Sequence, residues 1–89
     1  MIMYEIIISR KAAKFISDLP PGYKSKIKEI LLTLKDNPYG YPYKKIKGET
    51  NLYRIRIGKY RILYEVNINK DNKQIIILKV DKRENIYKL

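Results

Sequence analysis

Apolar and polar residues alternate most regularly between positions 52 and 66, where two period-two runs meet at Gly58-Lys59. A glycine-first pair in that setting predicts a hairpin closed by a type II′ turn. With those two residues as the loop, Ile57 faces Tyr60, Arg56 faces Arg61 and Ile55 faces Ile62. One face then carries Tyr53, Ile55, Ile57, Tyr60, Ile62, Tyr64 and Val66. The other carries Leu52, Arg54, Arg56, Arg61, Leu63 and Glu65.

The flanking chain supplies what such a hairpin needs. Residues 4–8 predict a short strand, and Ser9 an N-cap. Ala12, Phe15, Ile16 and Leu19 follow at helical spacing. Pro20-Pro21-Gly22 turns the chain into a second helix with Tyr23, Ile27, Ile30, Leu31 and Leu34 on one stripe. It must stop before Asn37-Pro38, since the residue before a proline avoids helical angles. Residues 38–43 read as irregular, and residues 44–48 as a basic loop. Residues 74–80 form a last strand, and Ile75-Ile76-Ile77-Leu78 is apolar on both faces, as an interior strand would be. Uninterrupted alternation sends Ile76, Leu78 and Val80 toward the helices and Ile75, Ile77, Lys79 and Arg83 to the Arg61 side.

The expected architecture is therefore α+β with order β-α-α-β-β-β: an antiparallel sheet covered on one face by a helical hairpin. The arginine face is expected to be open. At 89 residues there is room for one domain, 1–89. No Cys or His is present, so disulfides and the usual zinc ligands are excluded and packing must hold the core. The first residues have no basic stretch and only a short apolar run broken by Glu5. They read as neither a signal peptide nor a membrane span, which makes a soluble, cytoplasmic protein the simplest expectation.

Charge sharpens this reading. Twenty Lys and Arg stand against nine Asp and Glu, and residues 39–66 hold seven cations against two carboxylates. A net +11 favours a polyanion, whose condensed counterions are released on binding. Like charges directly opposite on a hairpin destabilise it, so Arg56 facing Arg61 with Arg54 diagonal points to a phosphate partner; the alternative is an ordinary solvated face. Arg83 points to the same side or is an unrelated C-terminal cation. Tyr87 is a candidate base-stacking residue, although most of nine tyrosines must be packing residues. Lys44, Lys45 and Lys47 suit generic phosphate contact. Glu65 is a candidate base, with pairing to a cation favoured. The sequence has no glycine-rich phosphate loop or metal cluster, and no histidine-based hydrolytic set. RNA cleavage would have to run on Arg, Lys, Tyr or Glu.

The stretches 44–48, 52–66 and 75–87, together with the element order, resemble the RelE/ParE superfamily of toxins from type II toxin–antitoxin systems, archaeal RelE-type members most of all. The resemblance covers essentially the whole chain. It implies a RelE-like fold and a metal-independent, cofactor-free endoribonuclease that cuts mRNA in the ribosomal A site. In that chemistry the 2′-hydroxyl attacks the adjacent phosphate, leaving a 2′,3′-cyclic phosphate. The implied catalytic set is Arg54, Arg56, Arg61, Arg83 and Tyr87, with Lys44, Lys45, Lys47 and Lys82 as nucleic-acid contacts. Arg61 matches the arginine that stabilises the transition state, Arg83 the basic residue that protonates the leaving oxygen, and Tyr87 the C-terminal tyrosine. Arginine stands at 54 and 56 where the best-studied ribonucleases often have lysine, which favours electrostatic stabilisation over general-base chemistry there. Asp81-Lys82 stands where related sequences often have Gly-His, which leaves Lys82 as a phosphate contact. The implied partners are the ribosome with its mRNA and an acidic, RelB-like cognate antitoxin. A gyrase-inhibiting ParE-like toxin and a non-catalytic RNA-binding relic are the alternatives.

Overall fold

A strand, β1 (Glu5–Ile8), leads into two helices, α1 (Arg10–Ser17) and α2 (Pro21–Asp36). Four strands follow: β2 (Lys44–Lys45), β3 (Leu52–Ile57), β4 (Tyr60–Ile68) and β5 (Lys73–Lys82). The structure is a computed structural model and describes residues 3–69 and 71–83. Among these, no helix is long and apolar enough to cross a membrane.

The helix limits follow from local chemistry. Ser9 caps α1: its Oγ accepts from the Ala12 N–H at 3.1 Å and donates to the Leu78 carbonyl at 3.0 Å. One side chain thus starts the helix and ties it to β5. Pro21 opens α2, where a missing N–H costs nothing. α2 ends at Asp36, just ahead of Asn37-Pro38.

The sheet order is β1-β5-β4-β3-β2. The antiparallel arrangement expected holds from β2 to β5, whereas β1 pairs parallel with β5. The cause is β2, a strand that sequence periodicity does not reveal. One more chain reversal ahead of β3 flips the direction of every later strand, and β5 then runs with β1.

The core lies between the Tyr60 face of the sheet and the helices, as expected. Ile55, Ile62, Tyr64, Ile75 and Ile77 are fully buried against Ile27, Ile30 and Leu34 of α2 and Ala12 of α1. Tyr60 meets Phe15 and Tyr23 edge to face, with ring centroids 5.8 and 4.8 Å apart.

The inner face of β5 differs from expectation. Ile75, Ile77 and Val80 are the buried positions, not Ile76, Leu78 and Val80. Leu63 pairs with Lys79 but Tyr64 pairs with Ile77, leaving Leu78 as an extra residue. A one-residue bulge of this kind reverses the phase of the strand. Ile75 and Ile77 therefore face inward, while Lys79 keeps the side expected for it.

Candidate nucleic-acid interface

The β3–β4 hairpin sets the site. Gly58 has φ +56° while Lys59 stays at negative φ, the signature of a type II′ turn. A Cβ at Gly58 would also lie 3.2 Å from the Tyr23 hydroxyl. The register is the one expected: Ile57 opposite Tyr60, Arg56 opposite Arg61, Ile55 opposite Ile62.

Because side chains alternate between faces, this register creates two transverse rows on the face away from the helices. Lys44, Arg54, Leu63 and Lys79 form one, across β2, β3, β4 and β5. Arg56, Arg61 and Asp81 form the other. The backbone N–H of Arg83 donates to the Lys59 carbonyl at 3.1 Å, which holds Arg83 beside the hairpin turn. Arg54, Arg56, Arg61, Arg83 and Lys44 thereby line one groove of about 340 Å³, with Pro42 and Tyr43 at its margin.

These cations differ in setting. Arg56 and Arg83 are exposed and Arg54 is half-buried. Arg61 is only 6 % exposed, and its Nη1 donates to the carbonyls of Gly58 (3.0 Å) and Tyr60 (2.9 Å). The guanidinium thus caps the strand end it grows from and is fixed before any ligand arrives. Leu63 is also buried on this face, in register between Arg54 and Lys79. The arginine face is therefore less bare than expected. Asp81 stands opposite Arg61, on the side away from Arg56. With its forked guanidinium donors the groove holds and orients anions and stabilises added negative charge.

Other sequence candidates fall elsewhere. Lys45 is opposite Tyr53 and Lys82 opposite Tyr60, which puts both on the helix side of the sheet. Lys47 is exposed in the loop after β2 and does not line the groove. Glu65 sits opposite Leu52 and lines a separate hollow with Glu49, four residues along β4 from Arg61, a separation of roughly 13 Å. Tyr87 lies outside the described residues.

Sequence reasoning missed Pro42 and Tyr43, whose tyrosine- and proline-rich segment is irregular and carries no periodic signal. Tyr43 belongs to a ring cluster with Tyr39, Tyr53 and Tyr64, with neighbouring centroids 5.4 to 5.6 Å apart. Tyr64 is fully buried and its hydroxyl donates to the Pro38 carbonyl at 2.9 Å, tying the segment to the sheet. The Tyr39 phenol is pushed up to about 12, first by its hydrogen bond with Tyr53 and then by burial. Burial pushes Tyr64 up as well. Both phenols stay protonated near neutral pH and act as packing groups, not bases.

Comparison with known proteins finds relatives in both sequence and fold. A sequence model of the family described as the ParE toxin of type II toxin–antitoxin systems, parDE, matches residues 6–87. The RelE1 protein of Methanocaldococcus jannaschii is 40% identical over 88 residues, covering 96% of each chain. The toxin RelE3 of the same organism is 33% identical, covering 93% of this chain and 94% of its own. Among solved structures, the RelB–RelE antitoxin–toxin complex of Methanococcus jannaschii superposes with a TM-score of 0.72 at 33% identity, over 91% of this chain and 94% of that one. The archaeal RelE–RelB complex of Pyrococcus horikoshii gives 0.74 at 29% identity, over 91% and 96%.

Proposed function

Because this chain belongs to the RelE/ParE family of type II toxin–antitoxin toxins, we propose that it is a ribosome-dependent endoribonuclease that cuts mRNA in the A site and so arrests translation in the cytoplasm. The observation that carries the reading is the convergence of four guanidiniums and Lys44, from four strands or strand ends, on one groove of nucleotide dimensions. Arg54, Arg56 and Lys44 grip the backbone on either side of the scissile phosphate. Arg61, fixed by the turn carbonyls, faces the charge that builds on the non-bridging oxygens as the ribose 2′-hydroxyl attacks. Arg83, anchored at the same turn, supports the departing 5′-oxygen. The bond to the 5′-oxygen breaks as the 2′-oxygen–phosphorus bond forms; the 2′-hydroxyl proton passes to water and water returns a proton to the 5′-oxygen, giving a 2′,3′-cyclic phosphate and a 5′-hydroxyl. Catalysis rests on positioning and charge, with the ribosome ordering the substrate.

The test is primer extension on mRNA from a reconstituted translation reaction. New 5′ ends within the A-site codon are expected with the intact protein, at least about a hundredfold fewer with Arg56→Gln combined with Arg83→Gln. Undiminished cleavage by that double variant overturns the site. The match to a family described by its ParE member keeps gyrase poisoning as a second reading. Inhibition of gyrase supercoiling without any mRNA cleavage would establish it instead.

A further inference from the structure

The arginine groove ends, at the β2 margin of the sheet, on a ring that gripping phosphate does not require. Tyr43 lines that margin with Pro42, and Lys44 follows it in the chain. Among the described residues, Tyr39 and Tyr43 are the exposed aromatic side chains, each at 42 %, and of the two only Tyr43 lines the groove. The other aromatic rings described are buried or half-buried. A tyrosine kept for packing alone has no reason to stay so exposed beside a row of cations.

The ring is also braced. Tyr53 meets Tyr43 nearly at right angles, with centroids 5.4 Å apart and planes at 81°. Tyr53 in turn stacks on the fully buried Tyr64, at 5.6 Å. Tyr39 leans on Tyr43 at 5.5 Å with a tilt of 50°. A chain of rings thus runs from the core to the groove, and neither neighbour lies parallel to Tyr43. What it shows to the groove is an aromatic surface fixed before any ligand arrives, so stacking on it costs little ordering entropy.

We propose that Tyr43 is a nucleobase-stacking site, taking the base of the nucleotide whose phosphate lies on Lys44 and Arg54. The inference rests on the groove holding single-stranded RNA, as proposed above. Lys44 and Arg54 are cross-strand partners, and Tyr43 and Tyr53 each precede one of them in the chain, so the ring pair adjoins the cation pair. A nucleotide carries an anionic phosphate and a flat π-face, and this margin offers a matching surface to each. The Lys44–Arg54 row lies two residues along β3 from the Arg56–Arg61 row, about 7 Å. The stacked base therefore belongs to a nucleotide next to the reacting phosphate. Cations alone read no base, whereas a ring favours purines, which have the larger face, so Tyr43 gives the groove a preference among sequences.

The chain has no tryptophan, so Tyr43→Trp places a single fluorescent reporter at the site. Its emission is expected to be quenched by a saturating short single-stranded RNA and unchanged by a saturating abasic oligomer of equal length. Tyr43→Leu keeps apolar bulk without a π-face. It is expected to bind the RNA at least about fivefold more weakly, with the salt slope unchanged because no phosphate contact is lost. Abasic replacement of one nucleotide at a time should find one position where the wild type loses affinity and Tyr43→Leu does not. At that position the wild type should favour purines at least about twofold and the variant should not. An unquenched tryptophan, wild-type affinity in Tyr43→Leu, a shifted salt slope, or equal abasic losses in both proteins at every position would each overturn the assignment. Should Tyr43→Leu fail to fold by thermal unfolding, the tryptophan measurement decides alone. No ribosome is present, so failure here leaves A-site cleavage standing, and failure of A-site cleavage leaves the stacking signal standing.

Discussion

Replacing Arg56 by glutamine isolates the charge of the groove from its shape. Arg56 is exposed, so the substitution disturbs no packing, and it removes the repulsion with Arg61 opposite. Among the described residues, five cations line the groove: Lys44, Arg54, Arg56, Arg61 and Arg83. If a single strand of RNA neutralises all five, the logarithm of affinity falls with the logarithm of salt at a slope of about −3.5, roughly 0.7 per phosphate contact. Raising salt from about 50 to about 200 mM then weakens binding about 130-fold. Arg56→Gln removes one contact, which lowers the slope to about −2.8 and the loss to about 50-fold. Fluorescence anisotropy of a short labelled RNA across a KCl series measures both slopes. Lys11→Gln, an equal change of charge on the exposed side of α1, is the control and should leave the slope unchanged. Equal slope changes for the two variants would mean that RNA answers to net charge alone, and the groove would lose its standing as the contact surface.

Two further outcomes follow from the tyrosine cluster. Tyr64→Phe deletes a buried hydroxyl that donates to the Pro38 carbonyl, so a loss of about 1–2 kcal/mol is expected in urea unfolding, with RNA affinity unchanged. Tyr39 has its folded value raised to about 12 above an ordinary 10, so the neutral phenol is favoured by folding. Its contribution is complete below pH 10 and lost as pH rises toward 12. The wild type should lose stability over that window, and Tyr39→Phe should flatten the loss.

What the sequence made legible had two independent signals behind it. The β3–β4 register was fixed by strict alternation and by a glycine-first loop, which agree on one pairing. Ser9 was legible because a capping side chain stood directly ahead of a helical stripe. β2 was hidden because two lysines carry no alternation; only their pairing with Arg54 and Tyr53 makes them a strand. The bulge at Leu78 was hidden for the opposite reason. A run apolar on both faces has no phase to read, so parity carried across 75–78 was lost. Nothing in the sequence showed that Arg61 is buried against the carbonyls of its own turn, or that Asp81 stands across from it, since the longer β4–β5 connection leaves that register undetermined.

The pairing of Arg61 with Asp81 decides where in the groove a phosphate sits most tightly. Arg61 has a cation on one side and a carboxylate on the other, so the row Arg56–Arg61–Asp81 carries a single net positive charge. The neighbouring row places Lys44 opposite Arg54 and carries no carboxylate. Arg61 is moreover committed through Nη1 to two carbonyls, which suits it to stabilise charge that develops during reaction more than to grip a ligand at rest. Ground-state affinity should therefore reside mainly in Lys44 and Arg54, and rate in Arg61. Lys44→Gln combined with Arg54→Gln is expected to weaken RNA binding about tenfold more than Arg61→Lys does. Arg61→Lys, which keeps the charge but loses the forked geometry, should lower the cleavage rate at saturating substrate while leaving affinity within about twofold. An Arg61→Lys variant that bound RNA far more weakly yet cleaved at the normal rate would reverse this division of labour, because the buried guanidinium would then be the anchor.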